Sequence, residues 1–514
     1  GLGLSTFISA GNRADLSGND MLQYWQTDPD TDVVLLHFET FGNPRKFARV
    51  ARRLARTKPI VAVKSGRHVG LMQGLAEVSV PVDEASVAVL FEQTGVIRVE
   101  SLAQLFDTAL LLANQPLPAG PRVAVVGNSS ALGVLVADAA LANGLTMPAE
   151  PVDTGATAPP DAFAAAVRDT VTRKDVDALV AVFVPPVQTP GAPYAAALRA
   201  AVAGCGKPVL STFLATEGIP AELSVPGPDG TPGYGSVPSY PSPERAVLAL
   251  ARVVRYAAWR AAPVGEFVTP DGMALDAARE LIDAVLAEGP DGRELTDEEA
   301  VRLLDAAAVP VVPFRRASTA DDAVAAADEL GYPVVLKAIG EPWRHRPDLV
   351  GVRLDLPGPD GVHTAYAELT ELSGSPTVYV QRMAPKGVAT AFELADDPSF
   401  GSLLSFGLHG MLGDLLGDRA YRALPLSDND AAALIRAPRA APLLTGYRGA
   451  TPVDLDALAD VALRLSRLAE REPWIRRLSL QPVLASPSGA FVAGAHVVVG
   501  PQPARFDEGP RRLN

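Results

Sequence analysis

"DVVLLHFETFGNPRKFARVARRLARTKPIVAVK", residues 32 to 64, decides the fold. Two apolar runs, "DVVLLHFE" and "PIVAVK", flank "PRKFARVARRLART", whose apolar residues recur at helical spacing among arginines. Strand, helix, strand in that order predicts parallel pairing, since a parallel neighbour needs a crossover long enough for a helix. Upstream, "STFISAG" and "NDMLQYWQ" predict one more strand and helix, and helix 102–113 closes the unit. Beyond the Pro-rich connector "NQPLPAGP" (114–121) the rhythm repeats. "RVAVVG", helices 132–143 and 160–170, "DALVAVFV", helix 194–204, "KPVLSTF" and helix 242–258 predict a second doubly wound unit. The Pro/Gly-dense residues 218–243 read as a long surface loop. A third unit opens at "LTDEEAVRLL", where Thr296 and Glu299 have capping-box spacing. Strands follow at "GYPVVLKAI", "GVRLDL", "TVYVQRM", 403–407, 478–484 and 491–499. The boundaries read are 1–115, 116–265, a linker 266–289 carrying one helix (273–287), and 290–514.

Bulk properties narrow the function. The chain has 514 residues, 48% hydrophobic and 20% charged, so several domains with sizeable cores are available. A net charge of −14 argues against a nucleic-acid or anionic-membrane partner. Cys205, the one cysteine, leaves no internal disulfide and suits a reducing cytoplasm. No apolar run has the length of a membrane helix. The start at "GLGLSTF", with neither initiator Met nor leader, suggests a chain cut from something longer. Zinc-type Cys/His spacing, a G-x-S-x-G elbow and a Walker A loop do not occur in it.

Several residue groups suit chemistry. Two Gly/Asn turns follow strands and open helices: "SAGN", with Gly11 and Asn12, and "GNSS", with Gly127, Asn128, Ser129 and Ser130. Backbone N–H groups at such turns favour an anion, and two in consecutive units suggest one shared phosphate cradle. A plain α/β turn needs glycine there as well. Glu39 ends its strand at the edge where α/β sites form, a place equally suited to a solvated acid. His37, two residues earlier on the same strand, reads as structural. Lys337 closes "GYPVVLK", placed for a nucleotide phosphate or for simple snorkelling. His345 lies among Arg344, Arg346 and Asp348 in "WRHRPDLVGV", cations that disfavour its charged form. His68, in "KSGRHVG", is the lone imidazole after the strand "PIVAVK".

Taken together, "FISAGNRADLSGNDMLQYW", "FEQTGVIRVESLAQLFDTA", "GYPVVLK", "HRPDLVGVRLDL", "DPSFGSLLSFGLHG" and "LLTGYRGATPVDLDAL" resemble the NDP-forming acyl-CoA synthetases, relatives of succinyl-CoA ligase. The resemblance implies two flavodoxin-like doubly wound domains and a carboxy-terminal ATP-grasp domain. It also implies a CoA-binding Rossmann domain that would precede Gly1, and hence CoA or acyl-CoA as a ligand. In the family, acyl-CoA yields an acyl phosphate, a histidine takes the phosphate between two helix N-termini, and ADP receives it. Glu39 matches the glutamate that orients that histidine. Lys337 and the hinge Val380, Gln381, Arg382 and Met383 match the ATP or ADP site.

Departures from the family pattern concern phosphate transfer. Counting back from Phe91, the carrier histidine falls near Ala76, where no imidazole stands, and His68 lies about eight positions too early. The family's Asp-x-Asn-Pro becomes "SLQP", with Ser479 and Gln481, and its Asp-Ala-Arg-Val becomes "GAHV", with Gly494. Its Gly-Val-Glu ends in Ala389, and its His-Lys-Ser-Asp loop becomes "HRPD". Mg²⁺ prefers carboxylate oxygens, so a weak metal site or none is expected. These losses imply a catalytically degenerate module that senses nucleotide or acyl-CoA. Such modules occur fused to a GNAT protein lysine acetyltransferase, a partner expected here from the resemblance alone. A homo-oligomer is compatible with this reading. Two alternatives stand beside it: an active ADP-forming acyl-CoA ligase using His68 or His345, and an interaction scaffold that binds neither ligand.

Overall fold

The computed structural model describes residues 2–9, 17–38, 44–65, 84–186, 190–213, 216–227, 230–340, 343, 350–397 and 401–501. The chain forms two units, which divide between Pro263 and Val264.

In the first unit the opening stretch folds as predicted. Strands β1 (Val34–Phe38), β2 (Ile60–Lys64) and β3 (Ile97–Val99) pair in parallel in the order β1-β2-β3. β2 is buried along its whole length, as a parallel strand covered on both faces must be. The helix Pro44–Ala55 buries Phe47, Val50, Ala51 and Leu54 and leaves Arg49 and Arg53 exposed. Phe47 meets Phe38 and Phe91 in an aromatic cluster with centroids 5.9–6.3 Å apart.

A second parallel sheet runs β5 (Val152–Asp153), β4 (Val123–Gly127), β6 (Ala178–Phe183), β7 (Val209–Phe213). The two sheets are tied by the helix Pro243–Ala261. Tyr256 on it donates to the Ala55 carbonyl at 2.7 Å. Arg56 donates to the carbonyls of Trp259, Arg260 and Ala262 and lies 4.2 Å over the Trp259 ring. A guanidinium at a helix C-terminus satisfies carbonyls that have no partner inside the helix.

The second unit contains two antiparallel sheets. The smaller has the order β11-β10-β12-β9, from β9 (Phe314–Ala317), β10 (Val334–Ala338), β11 (Val352–Leu356) and β12 (Val378–Arg382). Helices Ala320–Leu330 and Pro359–Ser373 cover it through Ala323, Ala327, Val362 and Leu369. The larger has the order β15-β14-β13-β16-β18-β8, with β17 beside β16. Its strands are β8 (Arg293–Glu294), β13 (Val388–Asp397), β14 (Gly401–Leu408), β15 (Arg419–Ala423), β16 (Ile475–Ser486), β17 (Gly489–Val492) and β18 (Ala495–Val499). Alternate residues of these strands, among them Phe392, Phe406, Leu478 and Leu480, pack on helices Asp297–Ala306 and Leu455–Arg471. The capping box expected at Thr296 and Glu299 is formed.

Three expectations need correction. "STFISAG" forms no strand over residues 5–9, and Phe7 is 84% exposed there. Alternation tells which face a strand would bury, but a ladder also needs a neighbour, and among the described residues β1 pairs only with β2. The stretch read as linker 266–289 contains the helix Leu275–Glu288, whose Ala278, Leu281, Ile282 and Val285 belong to the core of the second unit. Residues 218–243 are only partly a surface loop. Ser236 to Tyr240 are buried, the Ser236 and Ser239 hydroxyls bond to backbone, and the Tyr240 hydroxyl donates to the Asp107 carbonyl at 3.0 Å. Those bonds let an irregular segment enter the interior without stranded polar groups.

Candidate functional site

The expected nucleotide residues lie where two sheets of the second unit meet. Val334, Val335 and Leu336 anchor β10 in the interior, and Lys337 follows, opposite Tyr379 on β12. Its ammonium donates to the Ala493 carbonyl at 2.7 Å, just before β18. Burial lowers the Lys337 pKa to about 8, and the Asp297 carboxylate works against that shift. Tyr379 is pushed well above the ordinary phenol range by burial and by its hydrogen bond to Asp297. Desolvation disfavours the charged form of an amine and of a phenol, hence the opposite directions.

Gln481 and Gly494, the positions where the family resemblance would put metal ligands, are brought together. Leu480 pairs with Ala495 across β16 and β18, and the next step brings Gln481 opposite Gly494. The Gln481 N–H donates to the Gly494 carbonyl at 2.9 Å, and the Ala493 N–H to the Pro482 carbonyl at 2.9 Å. Ala389 lies on the adjacent β13. The strands approach so closely that a Cβ at position 494 would collide with the Gln481 carbonyl oxygen. Ser479 stands between Glu393 on β13 and His496 on β18. Glu393 is held by Arg477 at 2.6 Å and Arg419 at 3.4 Å, and Glu294 faces His496 at 3.1 Å. A hydroxyl, an amide and two residues without polar side chains do not fit a magnesium ion, which needs carboxylate oxygens to replace its water.

The hinge differs from expectation. β12 lies between β10 and β9, so its backbone groups serve the sheet. The Arg382 N–H donates to Pro313 and the Met383 N–H to Pro333, each at 3.1 Å. Val380 is buried in the sheet's core, and the Gln381 side chain donates to the Val312 carbonyl at 3.0 Å. Those two amides are therefore committed within the protein and do not present free donors to adenine.

The second Gly/Asn turn lies at a topological switch point, where β4 has β5 on one side and β6 on the other. Asn128 fills that point itself. Its amide donates to the Val184 carbonyl and its carbonyl accepts from the Val184 N–H, both at 2.8 Å. It is buried, its side chain staples two strand ends, and its own N–H donates to the Val182 carbonyl at 3.3 Å. Ser129 caps the helix Ser130–Ala142 without a side-chain bond, and Ser130 is exposed. A Cβ at Gly127 would lie 3.0 Å from the Val182 carbonyl oxygen, which accounts for that glycine sterically. Gly11, Asn12, Glu39, His68, Ala76 and His345 lie outside the described residues. His37 bonds Ser65 through Nε2 at 2.9 Å.

Two participants escaped sequence reasoning. Asp297 was legible as the first residue of a helix, but its tie to Tyr379, far along the chain, was not. The Ala493 carbonyl that holds Lys337 is a backbone group and leaves no trace in residue type.

Comparison with known proteins adds the following. Residues 284–499 match the ATP-grasp domain family, and residues 1–112 match the succinyl-CoA ligase like flavodoxin domain. The chain is 30% identical to acetate–CoA ligase (ADP-forming) I of Archaeoglobus fulgidus, over 97% of this chain and 75% of that protein. It is 25% identical to 4-hydroxybutyrate–CoA ligase (ADP-forming) of Nitrosopumilus maritimus, over 95% of this chain and 73% of that one. Among solved structures, a chain of the Ca. Korarchaeum cryptofilum dinucleotide forming acetyl-coenzyme A synthetase 1, in complex with coenzyme A and Ca-AMPCP, is 33% identical. That match covers 43% of this chain and 99% of the other, with a TM-score of 0.40.

Proposed function

Because the chain belongs to the ADP-forming acyl-CoA synthetase family, with a succinyl-CoA-ligase-like flavodoxin domain and an ATP-grasp domain, we propose that it binds an adenine nucleotide without passing phosphate between nucleotide and acyl group. The observation that carries this reading is the opposed pair Gln481 and Gly494, where carboxamide and glycine stand in place of the ligands that hold a metal on the phosphates. Lys337 supports retained binding, since a partly buried ammonium at a strand end suits a phosphate oxygen. Such a module senses nucleotide or acyl-CoA. Its output would go to fused or associated CoA-binding and GNAT acetyltransferase domains in a cytoplasmic protein, a partner taken from family resemblance. Among the described residues no helix is long and apolar enough to cross a membrane.

A second reading has its own support. Similarity to an acetate–CoA ligase runs along 97% of the chain, which favours an active ADP-forming acyl-CoA ligase over a silent module. The two readings part on one assay: acetyl-CoA, ADP and phosphate with Mg²⁺, scored for ATP. Our reading expects no ATP above background. Turnover abolished by His68→Ala or His345→Ala would establish the ligase and sink the silent module. For the regulatory part, acetyl transfer to a lysine peptide by the intact gene product should change when ADP is added.

A further inference from the structure

The residues around Gly494 point beyond a weakened metal site. Strands β13 and β16 and the residue just before β18 present Ala389, Ser479, Gln481 and Gly494, none of them charged. The acids nearest in register are already in ion pairs, Glu393 with Arg477 and Arg419 and Glu294 with His496, while Asp297, the carboxylate beside Lys337, is bonded to the Tyr379 hydroxyl. The glycine is not a simple vacancy, because the Gln481 carbonyl occupies the space a side chain would need. Beside it stands a cation that belongs to the chain. The Lys337 ammonium bonds the carbonyl of Ala493, the residue before Gly494, and has three N–H donors in all.

We infer that this site takes adenine nucleotide as the metal-free species, with the Lys337 ammonium serving as the cation where relatives would place a divalent ion; the inference rests on the nucleotide-binding reading above. A magnesium ion on the phosphates gives up water only for strong oxygen donors, and the neutral strands offer none in return. A phosphate oxygen stripped of its metal makes a shorter, charge-assisted bond to an ammonium. Magnesium then acts as a competitor. It withdraws free nucleotide from solution, and by mass action the apparent affinity of the protein falls.

The test is calorimetric titration of ADP into the whole chain, once with EDTA and once with excess Mg²⁺, with Lys337→Met alongside. The expected result is an apparent dissociation constant about fivefold or more lower in EDTA. Lys337→Met should weaken binding in EDTA about tenfold, the usual loss of one charge-assisted contact. Equal or tighter binding with Mg²⁺ overturns the inference and leaves nucleotide binding intact. A folded Lys337→Met chain with unchanged affinity overturns the role given to Lys337. If that variant does not fold, the EDTA and Mg²⁺ comparison on the native chain still decides. No heat under either condition overturns both this inference and the reading beneath it.

Discussion

The two sheets of the second unit differ in what they could offer a phosphate. The four-stranded sheet keeps Lys337 on β10, bonded and desolvated as a phosphate-binding lysine would be. The seven-stranded sheet keeps its strand pairing up to Gln481 and Gly494 but carries no carboxylate at either position. Register and chemistry have come apart there. A sheet's register is set by its buried face, here Leu478, Leu480 and Val497, so the opposite face can lose its charges without harm to the fold. The ammonium of Lys337 cannot be removed so freely, because the space and the carbonyl built around it would be left without a partner. On the proposed reading, nucleotide contact and metal-assisted phosphate transfer fall to separate sheets, so one could be lost without the other.

The sharpest way to break this comparison is to put the acid back. Gly494→Asp drives a Cβ into the Gln481 carbonyl, so β16 and β18 must separate. Overpacking of this kind costs about 1–3 kcal/mol, measurable by denaturant unfolding. The variant should also gain no Mg²⁺-dependent ADP binding, since Gln481 and Ala389 remain neutral. A stable Gly494→Asp chain that binds ADP only with Mg²⁺ would show that the metal site is one residue from recovery. A smaller effect separates the sheets directly. Lys337→Met should weaken ADP binding about tenfold, whereas Gln481→Ala should change it by no more than about twofold. The reverse order in calorimetry would move the nucleotide from the four-stranded sheet to the seven-stranded one.

Much of this was legible in the sequence, and what was not has a physical pattern. The strand ending in Lys337 and the stretches holding Gln481 and Gly494 could be located because buried strands enforce apolar periodicity. Their cross-strand opposition became visible only in the pairing of β16 with β18. What could not be read was commitment at long range. Asn128 has the residue type and turn of an anion cradle, yet Val184, 56 residues on, uses both ends of its amide. The hinge amides of Arg382 and Met383 were spoken for by Pro313 and Pro333, and proline carbonyls carry no sequence signal as acceptors. The helix Leu275–Glu288 was taken for linker because Pro and Gly flank it on both sides, "TPDGM" before and "EGPDG" after. Only its membership of the buried cluster that also holds Leu303 and Ile475 places it in the core.

The smallest expected effect is a pH dependence, and its two signs oppose each other. Burial holds the Lys337 pKa at about 8, below the ordinary 10.5, with Asp297 resisting the shift and the Tyr379 hydroxyl bonded to that same carboxylate. Between pH 8 and pH 10.5 the unfolded chain binds a proton on this lysine that the folded chain has released. Stability contributed by this group therefore rises with pH across that window. Denaturant unfolding at pH 8 and pH 10 should show the gain in the native chain and not in Lys337→Met, which cancels the other titrating groups. ADP needs the protonated form, so its affinity moves the other way. From pH 7 to pH 9 the loss should be about fivefold, less than the full effect of removing the ammonium because bound phosphate itself raises the pKa. Calorimetry in EDTA at the two pH values checks this. Affinity unchanged between them, with Lys337→Met still weakened, would mean that the phosphate holds Lys337 protonated throughout and that the low value belongs only to the free protein.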